Sequence, residues 1–165
     1  METLIPLFFI YYCSSPHKDN NEFLYHQGEH IVTYRCRSKP VRLAVIDILA
    51  VAVTTYEGVM ILCVGADYIK LRDFIPANGK QYKAVAAINC NTLALGFWKT
   101  PGIEIMEIAT RRIIRHLEGV GCPINIVAAP DGSLVCSNFK DNIVKIRSDT
   151  GEVVLSIASL LSLNN

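Results

Sequence analysis

The chain has 165 residues, enough for one domain with a sizeable core, and 51% of them are apolar. Lysine and arginine (16) nearly balance aspartate and glutamate (15), for a net charge of +1 with only 19% charged residues. That balance removes the electrostatic case for nucleic acid or an anionic membrane as partner.

In chain order, Leu4–Tyr12 is an apolar run about as long as a signal-peptide core. The preceding Met1-Glu2-Thr3 carries an acid and no cation, so the run reads as a strand, with secretion the minor alternative to a cytoplasmic setting. Glu22–His26 and His30–Cys36 follow as two more strands around a Gln27-Gly28 turn. Leu43–Val53 is broken by Asp47 and falls short of the ~20 residues a spanning helix needs, so no membrane span is expected. Ile48–Thr54, Val59–Val64 and Tyr68–Phe74 supply three strands. Matching Ile69 to Ile103 gives a shortened spacing, so one strand of this unit is expected to have eroded, with Gln81–Ile88 serving two roles.

From there the pattern is clearer. Lys83–Ile88, Thr92–Phe97, Ile103–Ile108 and Arg112–Leu117 read as four strands. Ile124–Ala128, Ser133–Ser137, Asn142–Arg147 and Glu152–Ile157 read as four more. Pro130-Asp131-Gly132 and Asp149-Thr150-Gly151 carry turn chemistry, because proline presets φ and glycine accepts positive φ. The two groups repeat: Leu93/Leu134, Trp98/Phe139, Lys99/Lys140, Ile103/Val144 and Ile105/Ile146 all stand at one constant spacing. A period of about 40–45 residues built from short strands is the signature of a propeller blade. A blade buries its apolar faces only by stacking on neighbours.

The expected fold is therefore all-β, with three to four blades of four-stranded antiparallel sheets in an incomplete or minimal ring. The units are 1–36 (partial blade, no first strand), 40–82 (degenerate blade), 83–119, 120–158, and 159–165, a closing strand or tail. In the closing version Ser159–Leu163 completes the blade begun at Leu4; the competing version is a piece of a larger propeller.

The residues resemble WD40 repeats. Leu117-Glu118-Gly119 through Pro123-Ile124-Asn125 and Pro130–Val135 look like the start of such a repeat, and Ser137–Ile146 like its serine, aspartate and third-strand core. Glu107–Thr110 and Asp149–Glu152 resemble the turn that follows. The likeness departs in three places. Val120 stands where the Gly-His pair belongs, Arg147 and Met106 replace the tryptophan, and Thr100 replaces the loop aspartate kept at Asp141. NHL and YVTN propeller repeats share the Asp-Gly turn and are near alternatives.

Candidate chemistry is sparse. Cys13, His17, His26, His30 and Cys36 are zinc-ligand types, but their spacing fits no compact site, and no metal or other cofactor is expected. The six cysteines form no Cys-x-x-Cys pair; buried reduced thiols are preferred to a disulfide framework, with Cys63 and Cys136 inside apolar strands. No nucleophile–base set, Gly-x-Gly-x-x-Gly or phosphate loop is present, so no catalytic residue is assigned and an enzyme is not expected. Thr110–Arg112 with Arg115 and His116 is read as a solvated edge.

One recurrence points to binding. Trp98-Lys99, Phe139-Lys140 and His17-Lys18 occupy the loop between second and third strands, which stacking would gather on one face. An exposed aromatic beside a cation is a partner anchor, whereas the same aromatics packed between blades would be structural. Asp131, Gly132, Asp141 and Gly151 are the turn and loop positions. The resemblance implies a non-catalytic protein-interaction scaffold with protein partners, and an incomplete ring leaves room for a homodimer that completes it. The alternatives are a truncated propeller paralogue without activity of its own, and a ligand- or cofactor-binding propeller enzyme.

Overall fold

The computed structural model describes residues 9–14, 21–27, 30–138 and 142–158, with the side chains of 32–138 and 143–157. Among them are fifteen strands and no helix. They are β1 (Phe9–Ser14), β2 (Asn21–Gln27), β3 (His30–Arg35), β4 (Pro40–Asp47), β5 (Ala50–Thr55), β6 (Gly58–Val64), β7 (Ile69–Pro76), β8 (Tyr82–Asn89), β9 (Thr92–Phe97), β10 (Ile103–Glu107), β11 (Arg112–Leu117), β12 (Pro123–Ala128), β13 (Ser133–Asn138), β14 (Asn142–Arg147) and β15 (Val153–Ala158). They form one three-stranded sheet, β1–β3, and three four-stranded antiparallel meanders, β4–β7, β8–β11 and β12–β15.

The sheets stack face to face, with β8 lying between β4 and β12, and β3 against β7. Three apolar cores fill the gaps. Val51, Val53, Met60 and Leu62 meet Val32, Tyr34 and Cys36 on one side of β4–β7. On its other side Ala52, Val59, Ile61 and Ile75 meet Val85, Leu93, Leu95 and Met106. Ala94, Ile103, Ile105 and Leu117 then meet Ile126, Leu134, Val144 and Ile146 across the last gap. A strand covered on both faces has no reason to alternate apolar with polar residues. β5 (AVAVTT) is accordingly buried at every position and β9 at five of six. The fourth strands β7 and β11 are wet and carry the charge.

Two expectations fail. No strand of the second unit is eroded: β4 was hidden in the run that begins at Pro40, and β8 belongs to one sheet only. The true counterpart of Ile103 is Val59, since they pair with Gly96 and Thr54 in the same way. Ile69 lies in the fourth strand instead. β4 was missed because its turn at Ile48 and Leu49 has no glycine or proline; Asp47 supplies the turn, its Oδ1 accepting from the Leu49 N–H at 2.7 Å.

The second failure concerns the repeat. First and second strands do recur at the spacing that takes Leu93 to Leu134: Tyr82 pairs with Phe97 as Pro123 pairs with Asn138. The third strands recur one position sooner, because Gly96 pairs with Ile103 and Ser137 with Ile143. Ile103 and Val144 are both buried but on opposite faces, and so are Ile105 and Ile146. A slip of one residue moves every side chain to the other face while leaving a run buried on both faces looking the same.

Of the cysteines, Cys36 and Cys136 are buried, and burial pushes both thiols up to about 12. Cys63 and Cys122 are half-buried, whereas Cys90 is exposed, against the expectation of burial. All of these described cysteines are free. Cys13, His26 and His30 lie in strands whose side chains are outside the described set, as do His17 and Ser159–Leu163 altogether.

Candidate interaction face

The connection from β9 to β10 begins at Trp98, whose backbone N–H donates to the Gln81 carbonyl at 2.9 Å. Its other end is tied to the next connection, the Gly102 N–H donating to Gly121 at 2.8 Å. Gln81 itself follows a tight turn in which the Lys80 N–H donates to Ala77 at 3.0 Å. Two of the connections between sheets and the β9–β10 loop are thereby held on one face.

A pocket of about 410 Å³ opens there, lined by Lys80, Gln81, Phe97, Lys99, Glu104 and His116, with Gly79 and Thr100 at its rim. Lys80 Nζ meets Glu104 Oε1 at 2.6 Å and lies 5.7 Å from the Phe97 ring centre. Glu104 is buried, and its Oε2 has no hydrogen-bond partner. The Phe97 ring sits 5.5 Å from that of Tyr82. Burial, and then the Glu104 charge, pushes the Tyr82 hydroxyl up to about 12.

Beside the pocket, Trp98 is 39% exposed, and Lys83 Nζ stands 3.5 Å from its ring centre. Burial, and secondarily the Arg42 charge, lowers the pKa of the Lys83 ammonium. Arg42 in turn reaches past β8, its Nε donating to Asn125 Oδ1 at 2.8 Å, and so links the first strands of two sheets that flank a third. Lys99 and Thr100 are exposed.

The turns lie apart from this face. Asp131 Oδ1 accepts from the Ser133 N–H at 3.1 Å and from its hydroxyl, while Oδ2 meets Lys145 Nζ at 2.7 Å. Those bonds, Lys145 first, hold the carboxyl well below the usual carboxylate range. Gly132 and Gly151 both sit at φ 78°, where a side chain would be strained. Asp131 and Gly132 line a second, charged recess with Ser133, Lys145, Arg147 and Asp149. In the basic cluster Arg111 pairs with Asp73 of the neighbouring sheet at 2.6 Å. Phe139, Lys140 and Asp141, like His17 and Lys18, lie outside the described residues.

Sequence reasoning reached Trp98 and Lys99 through their recurrence. It passed over Lys80 and Lys83, and over Glu104, which is 24 residues beyond Lys80; the three carry no motif. Among the described residues no group of three or more His, Cys, Asp and Glu could hold a metal, and no helix is long and apolar enough to cross a membrane.

No family model matches the chain, and no curated protein does. Solved structures do. The WD40 β-propeller domain of Doa1 superimposes with a TM-score of 0.71 at 10% identity, over 85% of this chain and 48% of that one. The β-propeller domain of Cps50 (Swd1) from Myceliophteria thermophila gives 0.67 at 12% identity, over 86% of this chain and 56% of that one. The chain thus spans about half the length of the solved domains it matches. At such identity the likeness concerns architecture alone, and it makes these sheets blades of a β-propeller fold.

Proposed function

We propose that the chain is a non-catalytic scaffold that binds a protein partner, acting in the cytoplasm, through the face carrying Trp98 and Lys99. The observation that carries this reading is Trp98: an exposed indole, backed by the Lys83 ammonium, between Phe97 and Lys99, which line a pocket that also holds Lys80. Aromatic and cationic side chains next to a concavity are the usual anchors of protein contacts. The recurrence assigns the same role to Phe139 and Lys140 and to His17 and Lys18. Blades at 40–82, 83–119 and 120–158, with a partial one at 1–36, are the units of the scaffold. Rigid sheets presenting short loops on one side suit that task, although fold alone does not name it.

The test compares proteins captured in cells by the wild type with those captured by Trp98→Ala and Lys99→Glu. A partner held by the wild type and lost by both variants, at unchanged melting temperature, is the expected result. If both variants keep every partner, the face is not the binding surface. The half-length match to solved propellers favours one second reading, a propeller segment without activity of its own. In that case the wild type captures nothing that an unrelated control does not.

A further inference from the structure

We infer that the pocket beside Trp98 receives an arginine side chain of the protein partner, and that Lys80 holds the place of its guanidinium until it arrives. This rests on the reading of the Trp98 face as a binding surface and names the group the partner brings. Glu104 carries the argument. It is buried on β10, and the two oxygens of a carboxylate have room for about four hydrogen bonds. Oε1 takes one from Lys80 Nζ at 2.6 Å, whereas Oε2, shut off from solvent, takes none. Buried acceptors are nearly always bonded, so an orphaned one on a residue that lines a pocket marks the place of a missing donor.

Lys80 is a poor permanent partner. Its side chain is 44% exposed, and its compact ammonium serves one oxygen of the two. Its backbone does not depend on the ion pair. The Lys80 N–H donates to Ala77, and Asn78 and Gly79 hold the positive φ of 51° and 84° that such a turn needs. The ammonium can therefore swing out while the turn stays. The place it leaves has both parts of a cation site, a carboxylate and an aromatic ring, since Lys80 Nζ also lies 5.7 Å from the Phe97 ring centre.

A guanidinium fits that place better. Its planar fork bonds both oxygens of one carboxylate, which gives Oε2 its donor, and its flat face stacks on a ring. The cavity of about 410 Å³ has room for the side chain behind it. His116, paired across the strands from Glu104, forms a wall: its ring lies against Gly102, where a Cβ would stand 2.8 Å from Nε2. Lys99 also lines the pocket, but it is exposed, and water and salt screen its charge far more than that of buried Glu104. An anion would meet the Glu104 charge and find Lys80 already taken.

Titration of the 165-residue chain with acetyl-Gly-Arg-Gly-amide tests this, followed by the backbone amide resonances of Gly79, Lys80, Lys99 and Thr100. Saturable shifts there are expected, with the lysine and citrulline peptides at least about tenfold weaker. Lys80→Ala gives a sign that an anchoring lysine would not. Removing the stand-in is expected to tighten the arginine peptide about fivefold, because the open site no longer has to be uncovered first. Glu104→Gln is expected to weaken it about tenfold at unchanged melting temperature; if that variant is unstable, Lys80→Ala decides alone. No saturation by about 10 mM peptide overturns the inference. So does equal binding of the arginine and lysine peptides, preference for acetyl-Gly-Glu-Gly-amide, or no tightening by Lys80→Ala. The underlying reading fails separately. A cellular partner lost by Trp98→Ala but kept by Glu104→Gln sinks the arginine claim and leaves the Trp98 face standing. Capture of no partner sinks that reading instead, and the titration still decides the pocket.

Discussion

Trp98 and Gly96 are close neighbours in the chain and illustrate opposite constraints. Trp98 is 39% exposed with the Lys83 ammonium over its ring, so replacing it with alanine is expected to leave thermal stability nearly unchanged. A drop of many degrees would make the indole a structural residue and sink its role as an anchor. Gly96 is confined: a Cβ there would lie 2.4 Å from the Pro123 ring and 3.2 Å from Ala84 and Ile126 side-chain atoms. Gly96→Val is expected to destabilise the protein by about 1–3 kcal/mol, read as a lower urea midpoint, because overpacking a close contact forces neighbours to shift. An unchanged midpoint would mean that β12 does not press on β9 as described. Neither fate was legible locally. A glycine inside an apolar strand signals close approach of something, but the partner, Pro123, belongs to the following unit and stands across a gap between sheets.

At the scale of the element, turns act through side-chain chemistry that a sequence displays unevenly. Pro130-Asp131-Gly132 announces itself. The Asp47 turn does not, since Ile48 and Leu49 are apolar and exposed, and the strand before it was overlooked for that reason. The Asp131 carboxylate bonds Ser133 and Lys145, which lowers its folded pKa below the unfolded value. The sign follows directly: its contribution is complete above the ordinary carboxylate pKa of about 4 and is lost as pH falls through the lower folded value. The urea midpoint of the wild type should exceed that of Asp131→Asn at neutral pH, with the gap closing in acid. A gap that persists unchanged at low pH would show that the turn is held by something else. The effect is expected to be small, because exposed ion pairs contribute little.

Across the whole molecule, stability resides in the gaps between sheets, since each sheet buries its apolar residues only against the next. Cysteine labelling reads those gaps one at a time. Cys90 is expected to react with a thiol reagent in the native state, while Cys36 and Cys136 react only on opening, being buried with thiols pushed up to about 12. Mapping the labelled peptides with increasing urea should show Cys136 exposed together with loss of the last sheet gap. Rapid native labelling of Cys136 would contradict the packing of β12–β15 on β8–β11.

What the sequence by itself determined is the class of element and its period. Short apolar strands, the Pro130-Asp131-Gly132 turn and the recurrence of first and second strands between the last two units are read directly from the chain. They lead to all-β blades, with the strands of those units close to their observed bounds. Which face each strand presents, and what lies against it, was decided only by tertiary structure. Central strands buried on both sides look alike in either register, so Ile103 could be matched to Val144 although Ile143 is its counterpart. The pocket has the same origin. Lys80 and Glu104 meet because the connections between sheets return to one face, and nothing in their chain spacing foretells it.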